Sequence, residues 1–389
     1  MSKIEEMIKE LCPKGVEKVK LGELCQIIRG SRLTKSDINP IGTYPVISGG
    51  VTPMGYIEDF NREANTITIA QYGAAGYVDF QKQKFWANDV CYSIYPKEQL
   101  YNKFLFFVLK DKQDYLYKIR NTSAVPYSLP VDSLKKVIIP LPPLAIQQEI
   151  VSVLDSFTTL IDKMKKEVEM RKKQMECYCD KLYGGDYEGM MALANKPGNL
   201  AVKFSELGTI TRGKRFVRDD IRESGQPCIH YGDMYTFYGT KAEKAKTFLD
   251  RDFPKKMRYA HKGDVIIVGA GENDYDIGVG LVWLGDEPAA VHDACYILEH
   301  KQNPMYVSYY LRTNIYHKQL KQYVSSGKIS SFSADGLGKV VFPIQPLDKQ
   351  QEIVRTLDTF ESYISKLEKL IALRQKQYEY YREKLLTFE

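Results

Sequence analysis

Two long stretches of the chain place apolar residues at alternating steps of three and four, which is the spacing of a coiled-coil helix. The first seam consists of Ile150, Leu154, Phe157, Ile161, Met164, Val168, Met175, Tyr178 and Leu182. The second seam consists of Ile353, Leu357, Phe360, Ile364, Leu367, Ile371, Tyr378, Tyr381 and Leu385. This pattern predicts two long helices, the first of about 38 residues (146–183) and about 57 Å, and each helix needs a partner to cover its apolar seam.

Each seam is interrupted once at the matching position, by Arg171 in the first helix and by Arg374 in the second. An arginine at this position can pack its stem along the seam and keep its charged head in water, which is the interpretation that we favour. The alternative is that it fixes the register or contacts a partner protein. The candidate residues for the coiled coil and for partner docking are these two arginines with Ile150, Leu154, Phe157, Ile161, Ile353, Leu357, Phe360 and Ile364.

The two helices belong to an internal repeat. Residues 136–184 and 339–387 align without a gap, with nearly half of their positions identical, and residues 19–38 match residues 202–221 more weakly. The chain is therefore two copies of one unit, a globular part followed by a helix. We expect the shared residues to form the scaffold and the differing residues to determine what each copy recognises.

The repeat predicts an α+β fold in which two globular domains are joined by two long antiparallel coiled-coil helices with pseudo-two-fold symmetry. Short β-rich runs recur in both globular parts at 66–72, 89–95, 264–270, 281–285 and 294–298. A helical segment follows in each part, at 104–119 and 306–324. The predicted boundaries are 1–143 for the first domain, 144–184 for the first helix, 185–198 for a linker, 199–345 for the second domain and 346–389 for the second helix.

Composition indicates an ordinary globular protein. The chain has 389 residues, of which 44% are hydrophobic and 27% are charged, and its formal net charge is +6. Its apolar runs are far too short to span a membrane, and its charged N-terminus lacks the apolar core of a signal peptide. The seven cysteines include no CxxC pair, so we expect free thiols in a reducing cytoplasm rather than a zinc site.

Basic residues cluster at matching places in the two copies, around Arg29 and around Arg212. A solvated surface or a bracing role would account for either cluster alone, but their recurrence favours contact with phosphate. Tyrosine is frequent, with 28 residues, and loops rich in Tyr, Ser and Asn suit recognition of base edges. The candidate DNA-contacting residues are Arg29, Arg32, Lys35, Gln71, Tyr72, Ser123, Tyr127, Arg212, Lys214, Arg215, Arg218, Tyr231, Asn273, Tyr275, Lys328 and Ser330.

Three patterns that could indicate catalysis fail in detail. The glycine-rich segment 269–278 lacks the third glycine of a dinucleotide-binding loop. Residues 303–306 (NPMY) lack the second proline of the adenine-N6 methyltransferase motif, and a helix start capped by Asn303 explains them better. His292 could begin a catalytic dyad, but its counterpart in the first copy is Asn88. We therefore expect no catalytic residue, no metal site and no cofactor on this chain.

Several motifs together resemble the specificity subunit of type I restriction–modification systems. They are PLPPLxxQQEIVxxLD with its copy PIQPLxxQQEIVxxLD, the LGEL and FSEL segments that precede an Arg-Gly pair, and the loop SAVPYSL. The resemblance covers nearly the whole chain, and the repeated QQEI–LD helix entry is its specific part. It implies that the globular parts are target recognition domains, each reading half of a split DNA site.

The same resemblance implies what this chain assembles with. The helices would act as a spacer and as docking sites for two methyltransferase subunits, which use S-adenosylmethionine, and a restriction subunit that uses ATP and Mg²⁺ could join them. The complex would be cytoplasmic and would methylate adenine and restrict phage DNA. The alternative is a coiled-coil scaffold whose globular ends bind proteins, and an enzyme that binds a nucleotide or a methyl donor ranks third. Salt-sensitive DNA binding separates the first two, because a scaffold should show none.

Overall fold

The chain folds into two compact units, and each unit combines one globular part with segments of both long helices. The computed structural model describes residues 3–123, 125–253, 256–271, 277–325, 327 and 329–388. Unit 1 comprises Met1–Lys165 with Lys369–Glu389, and unit 2 comprises Lys166–Glu368. Each long helix is therefore shared between the two units. In the part of the chain that the structure describes, no helix is both long enough and apolar enough to cross a membrane.

The strands of unit 1 are β1 (Glu17–Lys20), β2 (Cys25–Arg29), β3 (Tyr44–Ile47), β4 (Tyr56–Ile57), β5 (Thr66–Ala70), β6 (Val78–Gln81), β7 (Trp86–Ala87), β8 (Cys91–Pro96) and β9 (Ile138–Leu141). The unit is built around a four-stranded antiparallel sheet, in the order β2-β8-β5-β6, and a smaller sheet, in the order β4-β3-β7, in which β3 and β7 are parallel. Its helices are α1 (Lys3–Leu11), α2 (Leu21–Leu24), α3 (Asn102–Asp111), α4 (Gln113–Lys118) and α5 (Val131–Lys135), with a 3₁₀ helix at Lys35–Asp37. The long helix α6 (Leu144–Leu182) leads from unit 1 into unit 2.

Unit 2 has the same plan with additions, and the long helix α13 (Leu347–Thr387) leads from it back to unit 1. Its strands are β10 (Leu200–Lys203), β11 (Gly208–Arg212), β12 (Gln226–Ile229), β13 (Lys241–Ala242), β14 (Thr247–Leu249), β15 (Tyr259–Ala260), β16 (Val265–Val268), β17 (Ala270–Gly271), β18 (Gly280–Trp283), β19 (Ala289–Val291), β20 (Cys295–His300), β21 (Ser330–Ser331) and β22 (Val341–Ile344). Its helices are α7 (Tyr187–Ala194), α8 (Phe204–Leu207), α9 (Tyr231–Thr236), α10 (Pro304–Tyr310), α11 (Asn314–Leu320) and α12 (Ala334–Gly338), with 3₁₀ helices at Arg218–Asp220 and Lys321–Tyr323.

The two units repeat one arrangement of strands. The order β11-β20-β16-β18 in unit 2 reproduces β2-β8-β5-β6 and adds β13 at its edge, and β14-β12-β19 reproduces β4-β3-β7 and adds β15. The register is also shared, since Ile67 pairs with Ile94 in unit 1 and Val265 pairs with Leu298 in unit 2. The α+β class and the duplication that the sequence predicts are therefore confirmed, although each predicted helical segment is divided into two helices.

The long helices α6 and α13 contain 39 and 41 residues. Segments of both pack together inside each unit. In unit 2 the ring centroids of Tyr178 and Phe360 lie 5.8 Å apart, and Lys172 forms a 2.7 Å ion pair with Glu368. These pairs advance along α6 while they move back along α13, so the two segments are antiparallel.

The predicted seam of α6 is buried from Ile150 to Val168, except that Phe157 is half-buried. Near its C-terminus the buried position changes, because Tyr178 is 42% exposed whereas Cys179 is 4% exposed. The thiol of Cys179 donates to the carbonyl oxygen of Tyr309 at 3.5 Å, so this end of the helix packs on α10. Tyr178 therefore contacts Phe360 of the other helix, as the seam predicts, but remains partly exposed, because the globular part covers the neighbouring face at Cys179.

The repeated QQEI motif attaches each long helix to its own globular part. Gln147 is fully buried, its Oε1 accepts the backbone N–H of Tyr101 at 2.7 Å, and its Nε2 donates to the carbonyl oxygen five residues before it at 2.7 Å. Gln350 is equally buried, its Oε1 accepts the backbone N–H of Asn303 at 3.0 Å, and its Nε2 makes the same five-residue contact at 2.7 Å. Because buried amides need such partners, this glutamine fixes where each helix begins against its domain.

Two helices that the sequence pattern leaves unpredicted occupy equivalent places, α1 before β1 and α7 before β10. Each is followed by a glycine in the left-handed region, Gly15 at φ +87° and Gly198 at φ +84°. Ile4 of α1 is 5% exposed and Met190 of α7 is fully buried. The segment 185–198, which the sequence suggests is a linker, therefore contains a packed helix that belongs to the repeat.

The interpretation of residues 303–306 as a helix start is confirmed. The side-chain oxygen of Asn303 accepts the backbone N–H groups of Met305 at 3.0 Å and Tyr306 at 3.3 Å, which caps α10. All seven cysteines, which lie in the described part of the chain, are free thiols. Cys177 is exposed and Cys179 is buried, as expected for two positions that point to different faces of a helix.

Candidate nucleic-acid interface

The repeated Arg-Gly pair ends the first strand of the main sheet in each unit. Its glycine lies directly against the backbone of the neighbouring segment. A Cβ atom on Gly30 would lie 2.2 Å from the carbonyl oxygen of Ala87, and a Cβ atom on Gly213 would lie 2.2 Å from the carbonyl oxygen of His292. No larger residue fits this close approach, so packing accounts for the shared glycine.

The arginine of the pair is held by a turn of the chain. Arg29 Nε donates to the carbonyl oxygen of Asp89, and Arg212 Nε donates to the carbonyl oxygen of Asp293 at 2.8 Å. Both arginine side chains are exposed. The two arginines therefore have a structural hydrogen bond in each unit and also present positive charge to solvent.

We call residues 29–37 and 212–220 the arginine loops. Each loop contains a short 3₁₀ helix closed by a carboxylate. Asp37 Oδ2 accepts the backbone N–H of Thr34 at 2.8 Å, and the equivalent Asp220 makes the same contact at 2.7 Å. The hydrogen bonds from Thr34 lower the pKa of Asp37. The other basic side chains that these loops expose are Arg32, Lys35, Lys214, Arg215 and Arg218.

One turn in each unit brings the predicted residues together. It comprises residues 88–91 in unit 1 and residues 292–295 in unit 2. A carbonyl group of the turn accepts the backbone N–H of Gln71 in unit 1 and of Gly269 in unit 2, both at 2.8 Å. Because the same turn also holds Arg29 or Arg212, the arginine loop and the end of β5 or β16 lie on either side of it.

The tyrosine that follows each turn connects it to a third segment. Tyr92 donates to a carbonyl oxygen of the loop 120–129 at 3.3 Å, and Tyr296 donates to a carbonyl oxygen of the loop 325–332 at 2.8 Å. Burial raises the pKa of both hydroxyl groups, so both remain donors at neutral pH. We call the loops 120–129 and 325–332 the polar loops. The tyrosine in the repeated Cys-Tyr pair is therefore explained by this contact.

In unit 1 the predicted residues outside the arginine loop lie at the end of β5 and on the polar loop. Gln71 and Tyr72 are half-buried, and Tyr72 pairs with Ser128 of the polar loop. Ser123 and Tyr127 are exposed. Sequence reasoning missed Arg120, whose guanidinium lies 4.5 Å from the centre of the Tyr127 ring. Its position as the first residue of the polar loop was the available signal.

In unit 2 the predicted residues outside the arginine loop differ in their exposure to solvent. Tyr231 is half-buried at the start of α9. Ser330 is 5% exposed and lies within β21, so its side chain is inside the unit and not on its surface. The remaining predicted contacts, Asn273, Tyr275 and Lys328, lie outside the described residues.

An aromatic cluster that sequence reasoning missed adjoins the arginine loop of unit 2. The rings of His230 and His292 lie 4.7 Å apart, and Tyr231 and Phe216 pack against them. Nδ1 of each histidine accepts a backbone N–H, at 3.2 Å for His230 and 3.1 Å for His292. Burial lowers the pKa of both histidines and so favours the neutral imidazole. The equivalent turn in unit 1 has Asn88, so the two units differ at this place.

The residues predicted for partner docking are used mainly within the helix pair. In unit 1 Phe157 stacks on Tyr381, with ring centroids 5.5 Å apart. The other apolar members are buried or half-buried in their units: Ile150, Leu154, Ile161, Ile353, Leu357, Phe360 and Ile364. Arg171 and Arg374 are half-buried, and each donates to the glutamine three residues later, at 2.8 Å and 2.7 Å. Each arginine head therefore bonds to a side chain of its own helix.

The fold and the duplicated interface define a class of protein that carries two related recognition modules. A family model described as the type I restriction modification DNA specificity domain matches the chain twice, over residues 13–170 and 200–375. The chain belongs to this family of type I restriction–modification specificity proteins. These proteins are non-catalytic sequence-recognition components, and the methylase and nuclease activities reside in other subunits.

Relatives cover nearly the full length of the chain. A putative type I restriction enzyme specificity subunit of Haemophilus influenzae is 28% identical over 403 residues, covering 96% of each chain. A putative type I specificity subunit of Mycoplasma pneumoniae is 28% identical over 381 residues, covering 95% of this chain and 97% of the relative. The solved S subunit of a type I system from M. genitalium has the same fold, with a TM-score of 0.59, 19% identity, and coverage of 95% of this chain and 96% of that one.

Proposed function

We propose that this chain binds a bipartite, asymmetric DNA site, one half-site for each unit, and directs type I methyltransferase and restriction subunits to it. The duplicated interface carries this proposal. The arginine loop, the turn and the polar loop are arranged in the same way in both units. The residues around the turn differ, since Asn88 of unit 1 corresponds to His292 of unit 2. Shared basic loops suit sequence-independent contact with phosphate, and differing side chains suit discrimination between bases. Two half-sites of unlike sequence follow.

We further propose that two methyltransferase subunits dock, one on each copy of the long helix. The repeat places exposed apolar side chains at equivalent positions of α6 and α13. Leu160 is 41% exposed and its counterpart Tyr363 is 44% exposed, while Met170 is 53% exposed and its counterpart Leu373 is 59% exposed. Recurring apolar positions on the outside of a helix pair support two equivalent docking sites.

The cofactors of the assembly would belong to these partners. S-adenosylmethionine would be bound by the methyltransferase subunits, and ATP and Mg²⁺ by a restriction subunit where one is present. The complex would act in the cytoplasm, where it meets DNA.

DNA binding at several salt concentrations tests the proposed function. The chain, co-expressed with its methyltransferase subunits, should prefer its target over random duplex by about 10³-fold or more, and affinity should fall steeply as salt rises. A protein scaffold would show neither effect. DNA binding that is weak, unselective and insensitive to salt would contradict the proposal.

Native mass spectrometry of the same co-expressed complex tests the docking proposal. Two methyltransferase subunits for each copy of this chain are expected. One methyltransferase for each chain under saturating conditions would show that the two helix copies are not equivalent docking sites.

A further inference from the structure

One face of the main sheet has opposite chemistry in the two units. Residues directly opposite each other on paired strands share a face, and the shared register identifies equivalent positions in the two sheets. In unit 1 this face is polar, with Thr68, Asp79, Gln81 and Ser93. In unit 2 the equivalent positions are apolar, with Ile266, Leu281, Trp283 and Ile297.

In unit 2 this face is covered by protein. Ile266 and Leu281 are fully buried and Trp283 is 1% exposed, in one apolar cluster with residues of the smaller sheet. Met234 of α9 belongs to the same cluster and is 6% exposed. Helix α9 lies in the place of a loop in unit 1, so the extra residues of unit 2 fill the space between its two sheets.

In unit 1 the corresponding space is an open cleft of about 150 Å³. The polar side chains that line it come from both sheets and from the loop after β3, and include Ser48, Thr52, Thr68, Tyr77, Asp79 and Gln81. Cys91 of the turn 88–91 also lines the cleft. The cleft therefore adjoins the turn around which the arginine loop and the polar loop of unit 1 are arranged.

The polar groups of the cleft form a network that positions one carboxylate. Gln81 is 8% exposed, and its Nε2 donates to Thr68 Oγ1 at 3.1 Å and to Asp79 Oδ2 at 3.0 Å. Thr68 is 2% exposed. Unit 2 shows that the same sheet folds with apolar residues at these positions, which would contribute hydrophobic stabilisation that Thr68 and Gln81 do not. Folding therefore does not require this polar face, which points to a role in binding.

The lining groups define the chemistry of the ligand. Among the described residues that line the cleft, none is a lysine or an arginine. Arg62 donates to Ser93 on the same face, but its Nη1 and Nη2 atoms donate to the carbonyl oxygens of Asn61 and Arg29. The described lining itself therefore offers a phosphate group no cation. A carboxylate surrounded by amide and hydroxyl groups favours a ligand that donates hydrogen bonds. On base edges in the major groove, aspartate accepts from the exocyclic amino group of cytosine, whereas adenine is read by an asparagine or glutamine amide that both accepts and donates.

We propose that the cleft of unit 1 recognises cytosine through its exocyclic amino group, with Asp79 as the acceptor. The inference rests on the proposed DNA-binding function and specifies the chemistry of one half-site. Unit 2 has no equivalent acceptor, since Leu281 stands at the position of Asp79. At this position of the sheet the two units therefore carry different chemical groups, a carboxylate in unit 1 and an apolar side chain in unit 2.

Selection of bound duplexes from a random library tests the proposal on the full chain assembled with its methyltransferase subunits. Asp79→Asn keeps an oxygen for Gln81 but adds an N–H donor that suits adenine or a keto group, so preference for cytosine should fall about tenfold or more at one position of one half-site. Asp114→Asn, an equal charge change on an exposed residue of unit 1, should leave the selected sequence unchanged. Thr52→Phe, at an exposed position that lines the cleft, should obstruct it and weaken selection at the same position.

The outcomes separate this inference from the proposed function. If the assembled wild-type chain selects no sequence, the proposed DNA recognition itself fails. If it selects two half-sites and Asp79→Asn, with an unchanged melting temperature, selects the same bases with equal strength, the role of the cleft is wrong. Loss of selection in both half-sites would also overturn it, because that result indicates a general structural defect.

Discussion

Arg212 and Arg215 lie three positions apart in one arginine loop and are held differently. Arg212 donates through Nε to the carbonyl oxygen of Asp293, and its own carbonyl oxygen accepts from Arg258. Arg215 is exposed at the centre of the loop. The interpretation that these arginines brace the domain therefore fits Arg212 better, and contact with phosphate fits Arg215 better.

Arg215→Ala should weaken binding to all DNA sequences alike and reduce the salt slope of binding by about one, because one phosphate contact is lost. Titrations at several salt concentrations measure this slope. Arg355→Ala, which removes an exposed arginine of α13 in the same unit, serves as the matched control. A fall in melting temperature of Arg215→Ala with an unchanged slope would assign Arg215 to bracing instead.

All five histidines of the chain belong to unit 2. Burial lowers the pKa of one of them, His300, to about 4. Folding therefore favours the neutral imidazole, whereas the unfolded chain binds a proton below about pH 6.5. The stabilisation from neutral His300 is present above pH 6.5 and is lost as pH falls toward 4, at a cost of about 3 kcal/mol. His300→Asn keeps an acceptor for the backbone N–H of Gln302 and removes the titration.

Urea unfolding of the wild type and of His300→Asn at pH 7 and pH 4.5, followed by hydrogen exchange in unit 2, measures the difference. The variant should lose less stability on acidification than the wild type. Equal losses in the two proteins would mean that this histidine does not control acid sensitivity.

At the scale of elements, the buried glutamine of the QQEI motif is expected to couple each long helix to its domain. Gln147→Leu leaves the backbone N–H of Tyr101 without its acceptor and should destabilise unit 1 by about 1–3 kcal/mol. Gln350→Leu is the matched variant and should destabilise unit 2 by a similar amount, since it leaves the N–H of Asn303 unpaired. Site-resolved hydrogen exchange distinguishes the two units, and equal destabilisation of both units by either variant would contradict a local anchor.

Helix length offers a second prediction at this scale. Both long helices pass from one unit to the other, after Lys165 in α6 and before Lys369 in α13. Seven residues inserted in each helix at these points keep the phase of the seam and add about 10 Å of helix. The gap between half-sites in the methylated motif should then lengthen, as sequencing of modified adenines would reveal. An unchanged gap would show that the helices do not set the spacing.

The long helices could be predicted because a seam repeated over nine positions is a strong signal, and because the repeat supplies it twice. The short helix α7 could not, since its eight residues include an internal glycine, Gly189, and make too few turns to show a period. The arginine loops could be found from charge and recurrence. The cleft of unit 1 could not be predicted from the sequence. Thr68 and Gln81 can be recognised as part of it only when the strand pairing is known and when the residues at the equivalent positions of unit 2 are compared.

For the whole molecule, the duplication joins a constant scaffold to two different recognition surfaces. The QQEI anchor, the Arg-Gly close approach and the Cys-Tyr turn have the same contacts in both units. The space between the sheets differs, since it is an open polar cleft in unit 1 and an apolar core in unit 2. A chain built this way can change one recognition surface without altering the other unit or the helices.

Recognition of separate half-sites by the two units can be tested with a map of methylated adenines. Residues 225–335 would be replaced by the corresponding segment of the Haemophilus influenzae relative, and the hybrid would be expressed with the same methyltransferase subunits. We expect a methylated motif in which one half has changed and the other half and the spacer are retained. A motif that is unchanged, or one in which both halves change, would contradict it.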